Sequence, residues 1–312
     1  MPGSLFREGR VWLRCQFHAH TTNSDGDPLP AALCDHYADL GFDVLAITDH
    51  WHVTDVEHDR IVVIPSSELT ADAPTAHDEA EVLALGVGVL PESLEPFPGI
   101  EALAAWIVAR GGVPFLCHPY WSGLRAEDVL VAPSLAGIEI WNGGSEVMQG
   151  NGLSTTQWDD VLQQGRMVMG LATDDCHTPG EDSGHGWTWV RSRERSGAAV
   201  IEALRSGRFY ASAGPKIRDV VIDETSVVVR SSPARSVRLR SGPWDGCAVN
   251  AELGMGNWRG EERERDADGL ITVARFDLPE FWHWARVEVE DERGRRAWSN
   301  PFELPGELPA RA

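Results

Sequence analysis

Five short segments carry residue types suited to gripping a cation. HAH sets His18 and His20 two positions apart, and ITDH ends at His50. IPSSELT contains Glu68, VPFLCH ends at His118, and TDDCH sets Asp175 and His177 two apart. Each follows a short, mostly apolar run of strand length. In an extended strand, residues i and i+2 point to the same side. His18 with His20, and Asp175 with His177, can therefore close on one ion, while Ala19 and Cys176 point away. Imidazole and carboxylate together suit Zn²⁺, Mn²⁺ or Fe²⁺. One histidine at a strand end is ordinary capping or surface chemistry. The same chemistry at five strand ends points to metal binding. Cys117 and Cys176 adjoin these residues on the opposite side of their strands and read as small buried hydrophobes.

The elements that position them are legible as apolar runs. VWLRCQF (11–17), DVLAIT (43–48), IVVIP (61–65), EVLALGV (81–87), VPFLCH (113–118), GIEIW (137–141) and MVMGLAT (167–173) read as strands. Helical periodicity covers 28–41, 99–110, 154–164 and 197–206. Apolar strands alternating with helices predict a parallel α/β sheet covered on both faces. In a barrel of this kind the C-terminal strand ends meet on one face, where active sites are built. The pattern changes at Gly214–Pro215. DVVID, SVVVR, SVRLR, LITVARF and ARVEVED follow with turn residues between them, which predicts an antiparallel β-sandwich. The expected domains are 1–214 and 215–312.

The 312 residues are 42% apolar and 24% charged, with a net charge of −21, of which residues 1–214 carry −18. Such a surface repels a phosphate backbone and acidic lipid, which excludes binding to nucleic acid or membrane by charge. Bound cations would offset part of it. Lys216 is the single lysine, so residues 1–214 hold no Schiff-base lysine. Five isolated cysteines without a CxxC fit a reducing cytoplasm. There is no apolar run of about 18 residues to span a bilayer and no signal-peptide stretch. The expected partner is a small-molecule substrate; the oligomeric state is not set by the sequence.

HAHTTNSDGD (18–27), ITDH (47–50), Glu68, CHP (117–119) and TDDCH (173–177), in that order, resemble the successive motifs of the PHP family, the polymerase and histidinol phosphatase superfamily. SGAAVIEALRSGRFYASAGP (196–215) resembles the bacterial branch named for CehA/McbA metallohydrolases, which includes a carbamate-cleaving member. The resemblance implies a distorted (β/α)7 barrel of PHP type followed by the sandwich, and two to three divalent ions (Mn, Zn or Fe). It implies one metal site of His18, His20, Glu68 and Asp175, a second of Asp25, His50 and His177, and a third of Glu68 and His118. Trinuclear members add a histidine after the next strand, where this chain has Asn142. Either Asn142 or water completes the third site, or that site is weak or empty. Asn142 as a cap on the following segment is the alternative role.

The expected activity is hydrolysis by a metal-activated hydroxide, first of a small phosphoester. Amide, carbamate or carboxylic ester hydrolysis on the same metals is the alternative. An inactive metal-binding module, with recognition by the sandwich, is the second. Asp175, His177 and His52 are the candidate catalytic residues: Asp175 ligates and orients the attacking water, His177 ligates, and His52, with His77, is a candidate leaving-group acid. Arg125, Asn142, His77 and His185 are candidates for substrate contact, Arg125 as the cation for an anionic group. Protein purified without chelator is expected to hold at least two transition-metal equivalents by elemental analysis, and less than about half an equivalent contradicts this. Glu68→Gln is expected to lose metal and activity together, because one carboxylate bridges sites.

Overall fold

The computed structural model describes residues 3–73, 75, 79–251 and 260–304. The chain divides into two compact units. One is Glu8–Ala211; the other joins the segment ending at Arg7 to the chain from Ser212 onward. The N-terminal segment thus parts from the 1–214 unit expected from the sequence. Strand β1 (Gly3–Ser4) is tied to the second unit by Ser4 Oγ, which donates to Asp219 Oδ1 at 2.6 Å.

The α/β unit contains, in order, β2 (Val11–Gln16), α1 (Pro30–Asp39), β3 (Val44–Ile47), β4 (Val62–Pro65), β5 (Glu68–Ala71), β6 (Ala80–Leu85), α2 (Ile100–Ala109), β7 (Val113–Leu116), α3 (Ala126–Leu130), β8 (Gly137–Asn142), α4 (Gly143–Gln149), α5 (Thr155–Gln163), β9 (Met169–Thr173), β10 (Trp187–Ser192), α6 (Gly197–Arg205) and β11 (Phe209–Ser212). The strands form two five-stranded sheets, β11-β10-β2-β3-β4 and β5-β6-β7-β8-β9. Pairs β2/β3, β3/β4, β7/β8 and β8/β9 are parallel. Pairs β10/β2, β5/β6 and β6/β7 are antiparallel.

The fold is mixed α/β, but the uninterrupted parallel ring of a (β/α)7 barrel is not formed by these strands. The connection from Ala71 to Ala80 is shorter than the crossover of about a dozen residues that a parallel return needs, so β6 runs back against β5. An apolar run such as EVLALGV reveals burial but not strand direction. β3 is buried on both faces. Val44 and Ala46 enter one core cluster with Leu13, Phe115 and Leu204, while Leu45 and Ile47 enter another with Leu33 and Tyr37 of α1. This double burial makes the run continuously apolar. All five cysteines are buried, and none is in a disulfide.

The second unit continues with β12 (Ile217–Ile222), β13 (Ser226–Ala234), β14 (Ser236–Arg240), β15 (Gly246–Asn250), β16 (Gly260–Arg265), β17 (Ile271–Asp277), β18 (Trp284–Glu290), β19 (Arg296–Ser299) and β20 (Phe302–Glu303). Its strands run β1-β12-β13-β17-β16 in one sheet and β15-β14-β18-β19 in the other, with β20 on β18. The two sheets pack on each other. Alternation explains the packing: Val237 and Leu239 of β14 are buried, while Arg238 between them and Arg240 after them are half-buried. This unit has no helix among the described residues. No described helix of the chain is long and apolar enough to cross a membrane.

Strand β8 lies close against β9 because residue 137 has no side chain. A Cβ on Gly137 would run into the Met169 carbonyl and lie 2.6 Å from the Phe115 ring. Gly137→Ala is therefore expected to destabilise the α/β unit by about 1–3 kcal/mol, as overpacking does. Denaturant unfolding of the variant and parent checks this, and an unchanged midpoint contradicts it.

Candidate metal centre

The two sheets of the α/β unit meet at the histidine segments. Beyond the regular strands, backbone hydrogen bonds carry the pairing onward. His20 N–H donates to Cys176 O at 2.8 Å, Asp175 N–H to His18 O at 3.0 Å, and Thr48 N–H to Ala19 O at 2.9 Å. Trp51 N–H donates to Glu68 O at 3.0 Å, beside an isolated bridge between His50 and Glu68. The ends of β2, β3, β5 and β9 are thus laced together, and their polar residues converge.

Glu68 is at the centre and is almost fully buried. Its Oε2 lies 3.0 Å from His18 Nε2, 3.3 Å from His20 Nε2 and 3.5 Å from His50 Nδ1. Its Oε1 lies 3.5 Å from His118 Nε2. Asp175 Oδ1 stands 3.1 Å from His18 Nε2 and 3.2 Å from His20 Nε2. Asp25 Oδ2 lies 3.4 Å from His177 Nε2 and 3.6 Å from His50 Nε2, while its Oδ1 is 3.4 Å from His20 Nδ1. The rings of His20 and His177 stack at 4.3 Å, and those of His20 and His50 at 4.7 Å.

The structure therefore brings together His18, His20, Asp25, His50, Glu68, His118, Asp175 and His177. Their atoms form overlapping groups that could hold an ion: His18, His20 and Asp175; His20, Asp25, His50 and His177; His18, Glu68, Cys117 and His118; and His50, Glu68 and Glu81. Within each group the atoms lie within 4.8 Å of one another. His20 serves two groups, and Cys117 Sγ comes nearer the cluster than its strand position suggested.

The donor set fits divalent ions. His20 Nε2 and Glu68 Oε1 are buried and face the cluster, and their ion-pair contacts lack hydrogen-bond geometry. Such atoms are costly to bury, at about 1–3 kcal/mol each. Mixed imidazole and carboxylate donors match Mn²⁺, Fe²⁺ or Zn²⁺.

Electrostatics follow the same geometry. Burial alone would lower the His18 pKa, but Asp175, Glu68 and Glu139 outweigh it and raise it well above the usual value. Carboxylate neighbours likewise outweigh burial at His20 and His118, which rise to about 9. Burial opposes ionisation of Glu68 and Asp175, yet the imidazoles around them hold both carboxyls well below their ordinary range. Asp25 is held low, first by its bond to His177. Cations binding here compete with protons on the histidines, so their affinity falls as pH falls.

Four further groups hold the ligands in place. Glu139 is fully buried and accepts four hydrogen bonds: from His18 Nδ1 at 2.8 Å, Thr173 Oγ1 at 2.7 Å, His118 N–H at 2.9 Å and Asn142 Nδ2 at 3.1 Å. Its bond to Nδ1 turns Nε2 of His18 toward Glu68. Asp49 accepts from Thr21 N–H (2.6 Å), Thr21 Oγ1 (2.7 Å), Ser24 Oγ (2.9 Å) and Thr54 Oγ1, which fixes the loop carrying Asp25. Asp174 accepts from Tyr37 Oη and from the amides of Gly184, His185 and Gly186. Asn142 points its amide nitrogen at Glu139 and Asp175 (3.1 Å each), while its Oδ1 accepts from Ser145 N–H and caps α4. The three described non-glycine residues with positive φ are His118 (25°) and Asp175 (57°), in this cluster, and Trp51 (49°), next to His50. Backbone held in that region costs about 1–3 kcal/mol per residue and concentrates at functional sites.

Other expected residues stand elsewhere. Asn142 turns its amide nitrogen to the cluster, while its oxygen accepts from Ser145 N–H and caps α4. Arg125 is exposed at the start of α3, and no described ion pair or hydrogen bond joins its side chain to the cluster. His52 is exposed two residues past His50. His185 turns its ring to Glu181 O at 3.1 Å. His77 lies outside the described residues.

Glu81 was missed by sequence reasoning. Its Oε2 is 3.4 Å from His118 Nε2 and its Oε1 3.7 Å from His50 Nδ1. Burial, then Glu68, pushes its pKa up to about 7. It is the second residue of an antiparallel strand, so the start of β6, not its end, faces the cluster. An acid at the start of an apolar run was the available signal.

A cavity of about 390 Å³ opens beside Asp175 and His177, lined by Trp121, Val147, Met148, Thr178, Glu181 and Asp182 among others. Its described lining contains no Lys or Arg.

No protein-family model matches the sequence, and no curated protein matches it. Among solved structures, the chain is similar to a two-domain protein of Bacteroides vulgatus described as containing a predicted PHP-like metal-dependent phosphoesterase. The TM-score is 0.49 and the identity 17%, covering 94% of this chain and 95% of that one. It is also similar to an amidohydrolase of Chromobacterium violaceum with bound sulfate and no metal, at TM-score 0.42 and 16% identity, over 55% of this chain and 90% of that one. Likenesses at these scores assign no function, which rests on the side chains described above.

Glu139 accepts from donors on every side, so an amide NH₂ in its place would oppose two of them. Glu139→Gln is expected to weaken Mn²⁺ binding by about 10–100-fold while the protein remains folded. Titration of metal-stripped variant and parent checks this; equal affinities contradict the positioning role.

Proposed function

We propose that this chain is a divalent-metal-dependent hydrolase of the PHP type that acts on a small phosphoester. The observation that carries the proposal is the convergence of His18, His20, His50 and His118 on the buried Glu68 carboxylate, with Asp25, Asp175 and His177 around them. His18, His20, Asp175 and Glu68 are the residues to hold one ion, and Asp25, His50 and His177 a second. Bound at such positions, divalent ions supply Lewis acidity and a water acidic enough to act as a nucleophile near neutral pH.

The protein's own residues do the positioning. Asp175 borders the cavity with Oδ1 between His18 and His20 and Oδ2 held by Asn142 Nδ2 at 3.1 Å. That fixed carboxylate can orient an attacking water. Glu139 and Asp49, each accepting four hydrogen bonds, keep the ligands from rotating away from the reaction geometry. Apart from His177, no described histidine lines the cavity, which favours substrates whose leaving group departs without full protonation. With no Arg or Lys among the described lining residues, no protein cation stands ready for a second anionic group on the substrate, which is disfavoured.

The apolar and acidic wall of Trp121, Val147, Met148, Glu181 and Asp182 also favours a second reading, hydrolysis of a neutral carbamate or carboxylic ester on the same ions. Mn²⁺-loaded protein assayed with 4-nitrophenyl phosphate, bis(4-nitrophenyl) phosphate and an aryl N-methylcarbamate separates them. Turnover of a phosphoester that is abolished by chelation and restored by Mn²⁺ is expected. Turnover of the carbamate alone selects the second reading, and turnover of none contradicts both.

A further inference from the structure

We infer that Glu81 supplies a third cation position, together with Glu68 and His118, in the place that Asn142 does not fill. The inference rests on the metal-centre reading above and adds a ligand from a strand that carries none of the expected ones.

The geometry brackets a point. Glu81 Oε2 and Glu68 Oε1 stand 3.4 and 3.5 Å from the same atom, His118 Nε2. On the other side, Glu81 Oε1 and Glu68 Oε2 stand 3.7 and 3.5 Å from His50 Nδ1. These distances exceed the 2.7–3.2 Å or so of an N–H···O hydrogen bond, and the Glu81 carboxylate makes no described hydrogen bond. Two carboxylates facing each other across one imidazole nitrogen repel unless a cation lies between them.

Two independent observations support the assignment. Glu68 Oε1, on a residue 1% exposed, has no hydrogen-bond partner and faces His118. It is the orphaned atom that a third ion would use. The alternative donor is engaged elsewhere, because Asn142 Oδ1 accepts from Ser145 N–H at 2.9 Å. The backbone also fixes Glu81 where it is needed. Cys117 N–H donates to Glu81 O at 2.9 Å, which locks the start of β6 against the residue preceding His118. His118 itself is oriented by Ser122 Oγ, 2.8 Å from its Nδ1, leaving Nε2 toward the carboxylates. With two carboxylates and one or two imidazoles, this position is harder than its neighbours and favours Mn²⁺, Fe²⁺ or Mg²⁺ over Zn²⁺.

The test uses full-length protein stripped of metal and titrated with Mn²⁺ alone, free Mn²⁺ being read from its electron paramagnetic resonance signal. The parent is expected to bind three equivalents and a folded Glu81→Gln variant two, while Asn142→His gains none. A parent count of two overturns the third position but leaves the two-ion reading intact; a count of zero sinks both. Glu81→Gln that binds as many ions as the parent, or that loses every ion while its circular dichroism is unchanged, overturns the inference. If Glu81→Gln does not fold, Glu81→Ser decides: one equivalent lost with the other two kept supports the assignment, and the parent count retained overturns it.

Discussion

One buried carboxylate sets the terms for the whole α/β unit. Glu68 is nearly inaccessible to solvent, and four imidazoles face its two oxygens at 3.0–3.5 Å. Removing a charge from water costs several kcal/mol unless partners offset it. Without ions, the offset comes from protonated histidines, as the raised pKa values of His18, His20 and His118 show. Were ions bound, the same rings would give up protons and serve as ligands. The strand ends around Glu68 carry either its counterions or its co-ligands, which explains why their positions are so tightly determined.

That determination is visible in the backbone. His118 and Asp175 adopt positive φ, and each is pinned by a neighbour: His118 N–H by Glu139, and Asp175 by Asn142 Nδ2 and by its own N–H to His18 O. Gly144 lets α4 pass beside this turn, since a Cβ there would stand 2.7 Å from Asp174 O. Asp174 and Asp175 are adjacent acids with opposite tasks. The first is buried among backbone amides and ties down 184–186; the second faces the histidines.

The sequence exposed the candidate ligands whose signal was chemical. His18, His20, His50, Glu68, His118, Asp175 and His177 stand out because cation-binding side chains recur where apolar runs end. It hid those whose role depends on direction or orientation. Glu81 begins an apolar run and reaches the cluster only because β6 is antiparallel. Glu139 lies inside GIEIW, where a buried acid reads as strand, and its four donors come from distant residues. Asn142 was recognised as facing the cluster, but which end of its amide does so depends on the start of α4 at Gly143. The antiparallel pairings of β6 and β10 were equally hidden, since burial makes a strand apolar whichever way it runs. Arg125 looked suited to an anion by type and position after HPYW, yet it is exposed at the start of α3.

The central claim is that adjacent divalent ions share the Glu68 cluster. It is tested most directly by crystals of Mn²⁺-loaded protein and an anomalous difference map at the manganese edge. The account predicts at least two peaks, one among His18, His20 and Asp175 and another among Asp25, His50 and His177, with Glu68 within bonding distance of at least one. A loaded crystal with no peak at these residues, or with its peaks at surface acids, would contradict it.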